Sequence, residues 1–320
     1  MSGPLTCARC QWPLRAASRA CPACAAPHCP GCAALGAGCA RPGCAGRFPP
    51  GPLPPLAVLA RSAERWPARE APPAGAVLVL LPTPRAARER VEAALVVGEL
   101  LGAGPEEGQR RLAGGHPEPL LLTEAGAAEG AAARLAAVGL PACVLPAAEV
   151  ARPLQCFDVT ALVPGDPWQV KDGEGRTRRV ALAAPRLVVS ADLVEVRAAP
   201  EGQSARTATG RHVAEAVGLI HTEPGASPLL LRARVMRGVP GLAAAAPLAR
   251  RLGQVLGQLA APPGRGVVLE GSRAPALLVP RGGDLRHNLP ALLLAARLLE
   301  GAWRAGRLPE HVPAIDEVAW

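Results

Sequence analysis

CARCQWPLRAASRACPACAAPHCPGCAALGAGCARPGC, residues 7–44, contains eight of the chain's ten cysteines: Cys7, Cys10, Cys21, Cys24, Cys29, Cys32, Cys39 and Cys44. The spacing is C-x2-C-x10-C-x2-C-x4-C-x2-C-x6-C-x4-C. Three C-x2-C pairs stand out, and the set divides into two groups of four. A C-x2-C turn puts two sulfurs on one face of a tight knuckle, and two knuckles close a tetrahedral zinc site with no room for water. So short a stretch cannot bury a core of its own, and a metal takes the core's place. In a reducing compartment such pairs read as metal ligands rather than disulfides. The expected cofactor is therefore zinc, as two structural ions. The pairing stays open. A sequential reading joins Cys7, Cys10, Cys21 and Cys24 on one ion and the other four on the second. A cross-braced reading joins Cys7, Cys10, Cys29 and Cys32, leaving Cys21, Cys24, Cys39 and Cys44. His28 is a further candidate ligand, disfavoured by lying next to the knuckle that starts at Cys29.

Outward from this module, composition shifts mark the organisation. Residues 1–45 form the two-zinc finger module. Residues 46–75 are rich in proline at both ends and read as a partly extended linker with a short helix near Leu56–Trp66. Residues 76–148 read as a small α/β domain in the order β-α-α-β-α-β. In it, AVLVLL at 76–81 suits a buried strand, Arg85–Leu101 has helical spacing, Pro105 opens a second helix, and Thr123 can cap a third that stops at Gly139. Residues 153–304 read as a mixed domain, mainly β at first. CFDVTALV alternates, WQVKDGEGRTRRVALA is a hairpin with its turn at Lys171–Gly175, and RLVVSADLVEVR continues the pattern. Further strands are expected at Pro228–Gly238, GVVLEG and APALLVP, with helices at Leu242–Leu259 and Leu289–Trp303. Residues 305–320 are a polar tail. The fold class expected is a zinc-finger module plus an α+β body.

The order and spacing of the cysteines resemble the B-box type of zinc finger, which is cross-braced; the sequential alternative matches a double zinc ribbon. This chain has cysteine at the last two ligand positions, where the B-box family usually has histidine. The resemblance covers only the finger and implies a module that contacts proteins, whereas ribbons often touch nucleic acid. GAGPEEGQRRL (102–112), PLLL (119–122) and AAVGLPACVL (136–145) resemble the C-terminal domain of the ribosomal stalk protein and the Clp protease adaptor of the same fold. That resemblance implies a small protein-binding fold. The lysines that mark the stalk protein's factor-binding face are absent here. Residues 153–200 resemble a pleckstrin-homology-like sheet, another binding fold.

Charge points less firmly to nucleic acid than it first suggests. The formal net charge is +9. Two zinc sites of four thiolates carry −2 each, which lowers the total to +5 and residues 1–50, with five arginines and no acid, from +5 to +1. Against that stand Arg9, Arg15, Arg19, Arg41, Arg47 and the single Trp12, a sparse set for a nucleic-acid face. Ala, Pro, Gly, Leu and Arg dominate, Tyr is absent and Lys171 is the sole lysine. A GC-rich coding sequence favours that set, so the choice of arginine is not itself chemistry. The arginines Arg176, Arg178, Arg179 and Arg186 form a positive group, with Asp172 and Glu174 beside it. They read first as a solvated hairpin and second as a contact for acidic protein or nucleic acid.

No catalytic set can be assembled. The chain has no G-x-G-x-x-G, no phosphate-loop lysine motif, no G-x-S-x-G and no H-E-x-x-H. The six histidines, His28, His116, His212, His221, His287 and His311, are scattered. His212 and His221, with Glu215 and Glu223, are a remote candidate for a second metal or acid–base site; solvent-facing loop histidines are the plainer reading. Asp284 and His287 are expected to form a turn and cap before the Leu289 helix. Cys143 and Cys156 are expected to be buried thiols. MSGPLTCARC has no basic and apolar signal-peptide pattern, and no apolar run is long enough to span a membrane. The expectation is a bacterial, cytoplasmic, non-enzymatic adaptor or regulator with a protein partner. A zinc-ribbon nucleic-acid regulator is second, and an enzyme with a site assembled from distant residues third.

Overall fold

The computed structural model describes residues 5–11, 14, 18–35, 37–63, 73–83, 85–184, 186–197, 211–223, 225–242, 245–269 and 286–309. Helices and sheets are mixed, and they fall into two units. One lies within Met1–Leu154 and Arg297–His311, and the other within Gln155–Ala296.

The first unit opens with a short antiparallel hairpin, β1 (Arg19–Ala20) and β2 (Pro27–His28). The proline-rich segment then carries β3 (Gly51–Pro52) and helix α1 (Leu56–Ala63). Leu56, Leu59, Ala60 and Ala63 recur at helical spacing and are all buried, which holds α1 down as one face of a core. β4 (Ala76–Leu80), α2 (Arg85–Arg88), α3 (Val91–Leu100), α4 (Pro105–Leu112), β5 (Glu118–Thr123), α5 (Ala125–Ala137), β6 (Ala142–Pro146) and α6 (Ala147–Val150) follow. The observed order is thus β-α-α-α-β-α-β-α rather than β-α-α-β-α-β. Arg90 is extended (φ −72°, ψ 132°) and splits the long helix expected over Arg85–Leu101. Thr123 ends β5 and caps nothing; the N-cap position of α5 is Glu124.

The sheet runs β3-β5-β4-β6 with every pair antiparallel. Leu78 and Leu80 pack with Ala93, Val97, Leu112, Leu120 and Leu135 on one face. Val77 pairs with Leu145 on the other face, and both are buried. Burial on both faces explains the unbroken apolar run of β4. The hairpin of α3 and α4 is in backbone contact: a Cβ on Gly108 would lie 1.9 Å from the Ala94 carbonyl oxygen.

The second unit is mainly β. Its strands are β7 (Phe157–Val163), β8 (Trp168–Asp172), β9 (Thr177–Val180), β10 (Leu187–Arg197), β11 (Arg211–His221) and β12 (Leu229–Arg232). After β12 the chain makes a 3-10 helix at Ala233–Gly238, where a continued strand was expected, then α7 (Leu248–Ala260), β13 (Arg265–Val268) and β14 (Arg286–His287). α7 starts later than Leu242 because Pro247 stands at its N-terminal boundary, where a missing N–H costs nothing. The eight-stranded sheet runs β13-β10-β11-β12-β7-β8-β9, with β14 also on β10. Leu252, Val255, Leu256 and Leu259 of α7 pack on Phe157, Val159, Val188 and Ile220. Gly218 admits that helix: a Cβ there would meet the Leu256 side chain at 2.3 Å.

The last helix, α8 (Leu289–Arg304), begins in the second unit and ends in the first. Asn288, just before it, accepts from Val194 N–H at 2.9 Å and donates to the Asp192 carbonyl at 3.0 Å, both on β10. In the first unit Arg297 donates to the Pro153 carbonyl at 2.7 Å, and Gly301 passes close to Leu145. The strand expected at APALLVP and residue Asp284 lie outside the described residues, as does the tail from residue 310. No helix among the described residues is long and apolar enough to cross a membrane.

Candidate metal centre

The eight cysteines come together as two groups, and the groups interleave. Cys7, Cys10, Cys29 and Cys32 form one, and Cys21, Cys24, Cys39 and Cys44 the other. Within each group the four sulfurs lie within 4.8 Å of one another. The sequential pairing is therefore excluded.

Local hydrogen bonds show why. In each C-x2-C knuckle the N–H following the second cysteine turns back to the first cysteine's carbonyl: Gln11 to Cys7, Ala25 to Cys21 and Ala33 to Cys29, at 2.9–3.0 Å. Gln11 and Ala25 adopt positive φ, 57° each, to close that turn. The β1–β2 pairing makes residues 21–26 the tip of a hairpin and carries the Cys21 knuckle away from the strand ends. Cys29 leaves from the other end, where Ala8 N–H donates to the Pro27 carbonyl at 2.8 Å and brings the Cys7 knuckle alongside. A second loop, closed by Cys39 N–H to Gly46 O at 2.8 Å and Phe48 N–H to Ala37 O at 3.1 Å, delivers Cys39 and Cys44. These pack with Cys21, Cys24, Ala33 and Phe48.

The geometry suits zinc. Tetrahedral Zn–S bonds of about 2.3 Å place sulfurs about 3.8 Å apart. The sulfur pairs Cys10–Cys29, Cys21–Cys44 and Cys24–Cys39 stand at 3.8, 3.7 and 3.6 Å. All ten cysteines are free thiols. The thiols within one group also divide electrically. Through its contact with Cys10, Cys7 is held below the ordinary thiol value, and the same neighbour pushes Cys32 above it. Four sulfurs so close cannot all ionise without a cation among them. Backbone N–H groups of Arg41 and Gly46 point at the sulfurs of Cys39 and Cys44, each at 3.4 Å, which favours their thiolates.

The two groups differ in surroundings. Three of four cysteines in the first are buried, against one of four in the second. The first group also abuts α1, whose Ser62 hydroxyl lies 3.6 Å from the Cys29 sulfur. Gly31 makes that approach feasible, since a Cβ there would sit 2.1 Å from the Ser62 oxygen.

His28 is fully buried but is not a ligand. Its Nε2 accepts from Ala40 N–H at 3.2 Å, so Nδ1 carries the proton and donates to the Ala26 carbonyl at 2.9 Å. Both nitrogens are thus engaged, and the ring packs edge-on against Phe48. Nor do His212 and His221 meet. They lie nine residues apart on β11, a separation of about 30 Å along a strand. His221 is buried rather than solvent-facing. Glu215 is engaged with Arg234 N–H at 3.1 Å and lies 3.7 Å from Arg232. His287 pairs through its backbone with Glu195. Burial pushes Cys143 up to about 12 and Cys156 to about 11, so neither is a ready nucleophile.

The arginine group divides as well. Arg186 is 1% exposed and donates to the carbonyls of Leu259, Leu182 and Ala184, tying the end of α7 to the turn after β9. Arg176, Arg178 and Arg179 are exposed. In the finger, Arg9 is spent on the Gly38 carbonyl at 2.6 Å, while Trp12 and Arg15 lie outside the described residues. A buried set that residue spacing did not reveal occupies the α/β part. Arg111 and Glu118 pair at 2.7 Å, Arg111 donates to the Leu53 and Pro119 carbonyls, and Glu118 accepts from Leu56 N–H. One arginine and one glutamate thereby tie the start of α1 to α4 and β5. No family model, curated protein or solved structure matches this chain.

Proposed function

We propose that the protein is a zinc-binding, non-enzymatic adaptor that acts through protein contacts. Its two structural ions are held by Cys7, Cys10, Cys29 and Cys32 and by Cys21, Cys24, Cys39 and Cys44, cross-braced in the manner of a B-box-type finger. The observation that carries this is the interleaved pair of closed four-sulfur groups. A closed site leaves no open position for substrate or water, so the metal supplies folding energy rather than chemistry. Protein is favoured over nucleic acid because eight thiolates offset most of the finger's positive charge, and Arg9 is used internally. Outside the finger, Arg111 is paired with Glu118, and Arg186 and Arg297 donate to backbone carbonyls.

Reduced, purified protein should hold about two zinc ions per chain. Cys10→Ser and Cys24→Ser should each remove about one of them. Metal-free folded protein would overturn the reading. Salt-dependent retention on immobilised nucleic acid would replace the protein-contact role with the nucleic-acid one.

A further inference from the structure

We propose that the free edge of β9 is a docking site for an extended acidic peptide, which joins the sheet as an added strand and sets its carboxylates against Arg178 and Arg179. The proposal rests on the adaptor reading only in taking protein as the partner.

β9 is the last strand of its sheet, bonded to β8 on one side and to no strand on the other among the described residues. Asp172 N–H donates to the Arg176 carbonyl at 3.1 Å at the hairpin turn. Bonded and non-bonded pairs alternate in an antiparallel ladder, so Val170–Arg178 is bonded and Lys171–Thr177 and Gln169–Arg179 are not. The backbone N–H and C=O of Thr177 and Arg179 therefore point to the open edge, two donors and two acceptors in strand register. This is what a peptide needs for β-augmentation.

Charge selects the peptide. A groove of about 560 Å³ runs between β9 and residues 155–157 with Ser227; Arg176 and Arg178 stand in its wall, and no carboxylate does. Arg178 is held in place, with its guanidinium 4.6 Å above the Phe157 ring and donating to the Ser227 carbonyl at 3.1 Å. Arg176 is neutralised by Asp172 and Glu174. Neither Arg178 nor Arg179 has a carboxylate partner among the described residues. The two lie on opposite faces of β9, so two successive acidic residues of an added strand meet one each.

Other occupants fit less well. A second copy of the same edge would set arginine against arginine, the usual way edge strands refuse self-pairing. A nucleic acid wants an open aromatic face, and Phe157 is 4% exposed with Arg178 over it.

The test uses the full-length zinc-loaded protein and a fluorescein-labelled synthetic peptide, Val-Glu-Glu-Val-Glu-Glu-Val, followed by fluorescence polarisation at low salt. Saturable binding is expected, and it weakens about tenfold or more in the Arg178→Gln, Arg179→Gln double variant. Thr177→Pro should weaken it comparably, because it removes one outward N–H and keeps every charge. Methylating the central peptide nitrogens should do the same without touching the protein, and this arm decides if Thr177→Pro does not fold. Absence of binding overturns the proposal. So does binding indifferent to N-methylation, which marks diffuse charge attraction, or displacement of the peptide by single-stranded DNA at equal charge. Any of these leaves the zinc count unchanged, so the two readings fall separately.

Discussion

Behind Gly46 stands the sulfur of Cys21, 2.5 Å from where a Cβ would be, with the Cys44 sulfur at 3.3 Å. A side chain there must displace one of those sulfurs. Gly46→Ala should therefore cost the Cys21, Cys24, Cys39, Cys44 site its ion and spare the other. Metal analysis should fall from about two zinc ions to about one per chain, with Gly38→Ala, where a Cβ would meet nothing closer than 3.9 Å, as the control. Retention of both ions would show that the second loop can shift without loss. Single residues also mark where spacing alone misleads. His28 beside Cys29 looks like a ninth ligand, yet its two nitrogens are satisfied by backbone. Arg186 sits in sequence with three exposed arginines, yet it is buried on carbonyls after the chain has turned. Residue type announced chemistry in both cases, and only the neighbours decided whether it was used.

Among the elements, the cysteine knuckles were legible because a C-x2-C turn is local, closed by one hydrogen bond over four residues. Which knuckles pair was not legible, because that depends on β1 meeting β2 and on Ala8 reaching Pro27. The unbroken apolar run of β4 announced a strand, but its antiparallel partners on both sides came from non-local pairing. The strand expected over Pro228–Gly238 forms only as β12 and then gives way to a 3-10 turn, where Met236 fills the core of the second unit. The Arg111–Glu118 pair was invisible, being seven residues apart across a Gly-Pro loop. It yields a pH prediction. Burial pushes the Glu118 carboxyl up to about 7, against the pull of Arg111 and Leu56 N–H. The folded state then holds a proton that the unfolded chain releases near 4.5, so this group's stabilisation is full below about 4.5 and lost as pH rises through about 7. His116, 3.6 Å away, works in the opposite sense: burial lowers its pKa, so its contribution falls as the solution is acidified below about 6.5. The difference in unfolding free energy between the parent and Glu118→Gln isolates the first term. It should shrink by roughly 2–3 kcal/mol between pH 5 and 8. A difference that stays flat over that range would mean that Arg111 holds Glu118 ionised throughout.

At the scale of the molecule, both cysteine groups belong to the first unit. The Cys7 group rests on α1 through Gly31 and Ser62, and α1 is tied to β5 by Glu118 at its first N–H. A continuous path of packed and hydrogen-bonded groups thus runs from a four-cysteine group to the central sheet of the first unit. The second unit's core, built on Phe157, Trp168, Ile220, Met236 and Leu256, contains no cysteine of either group. Removing zinc should therefore loosen the chain unevenly. In hydrogen exchange with a strong chelator, peptides covering 5–48 should lose protection first and most. Those covering α1 and β5 should follow, because α1 loses the surface under Ser62. Peptides covering β7, β8 and β12 should keep their exchange rates. Protection lost equally in β7–β9 would show that the finger supports the whole chain as one cooperative unit. Protection unchanged in α1 would show that the Ser62 contact carries no load and that the finger folds alone. The graded pattern is what that path predicts, because local opening follows the contacts that are lost.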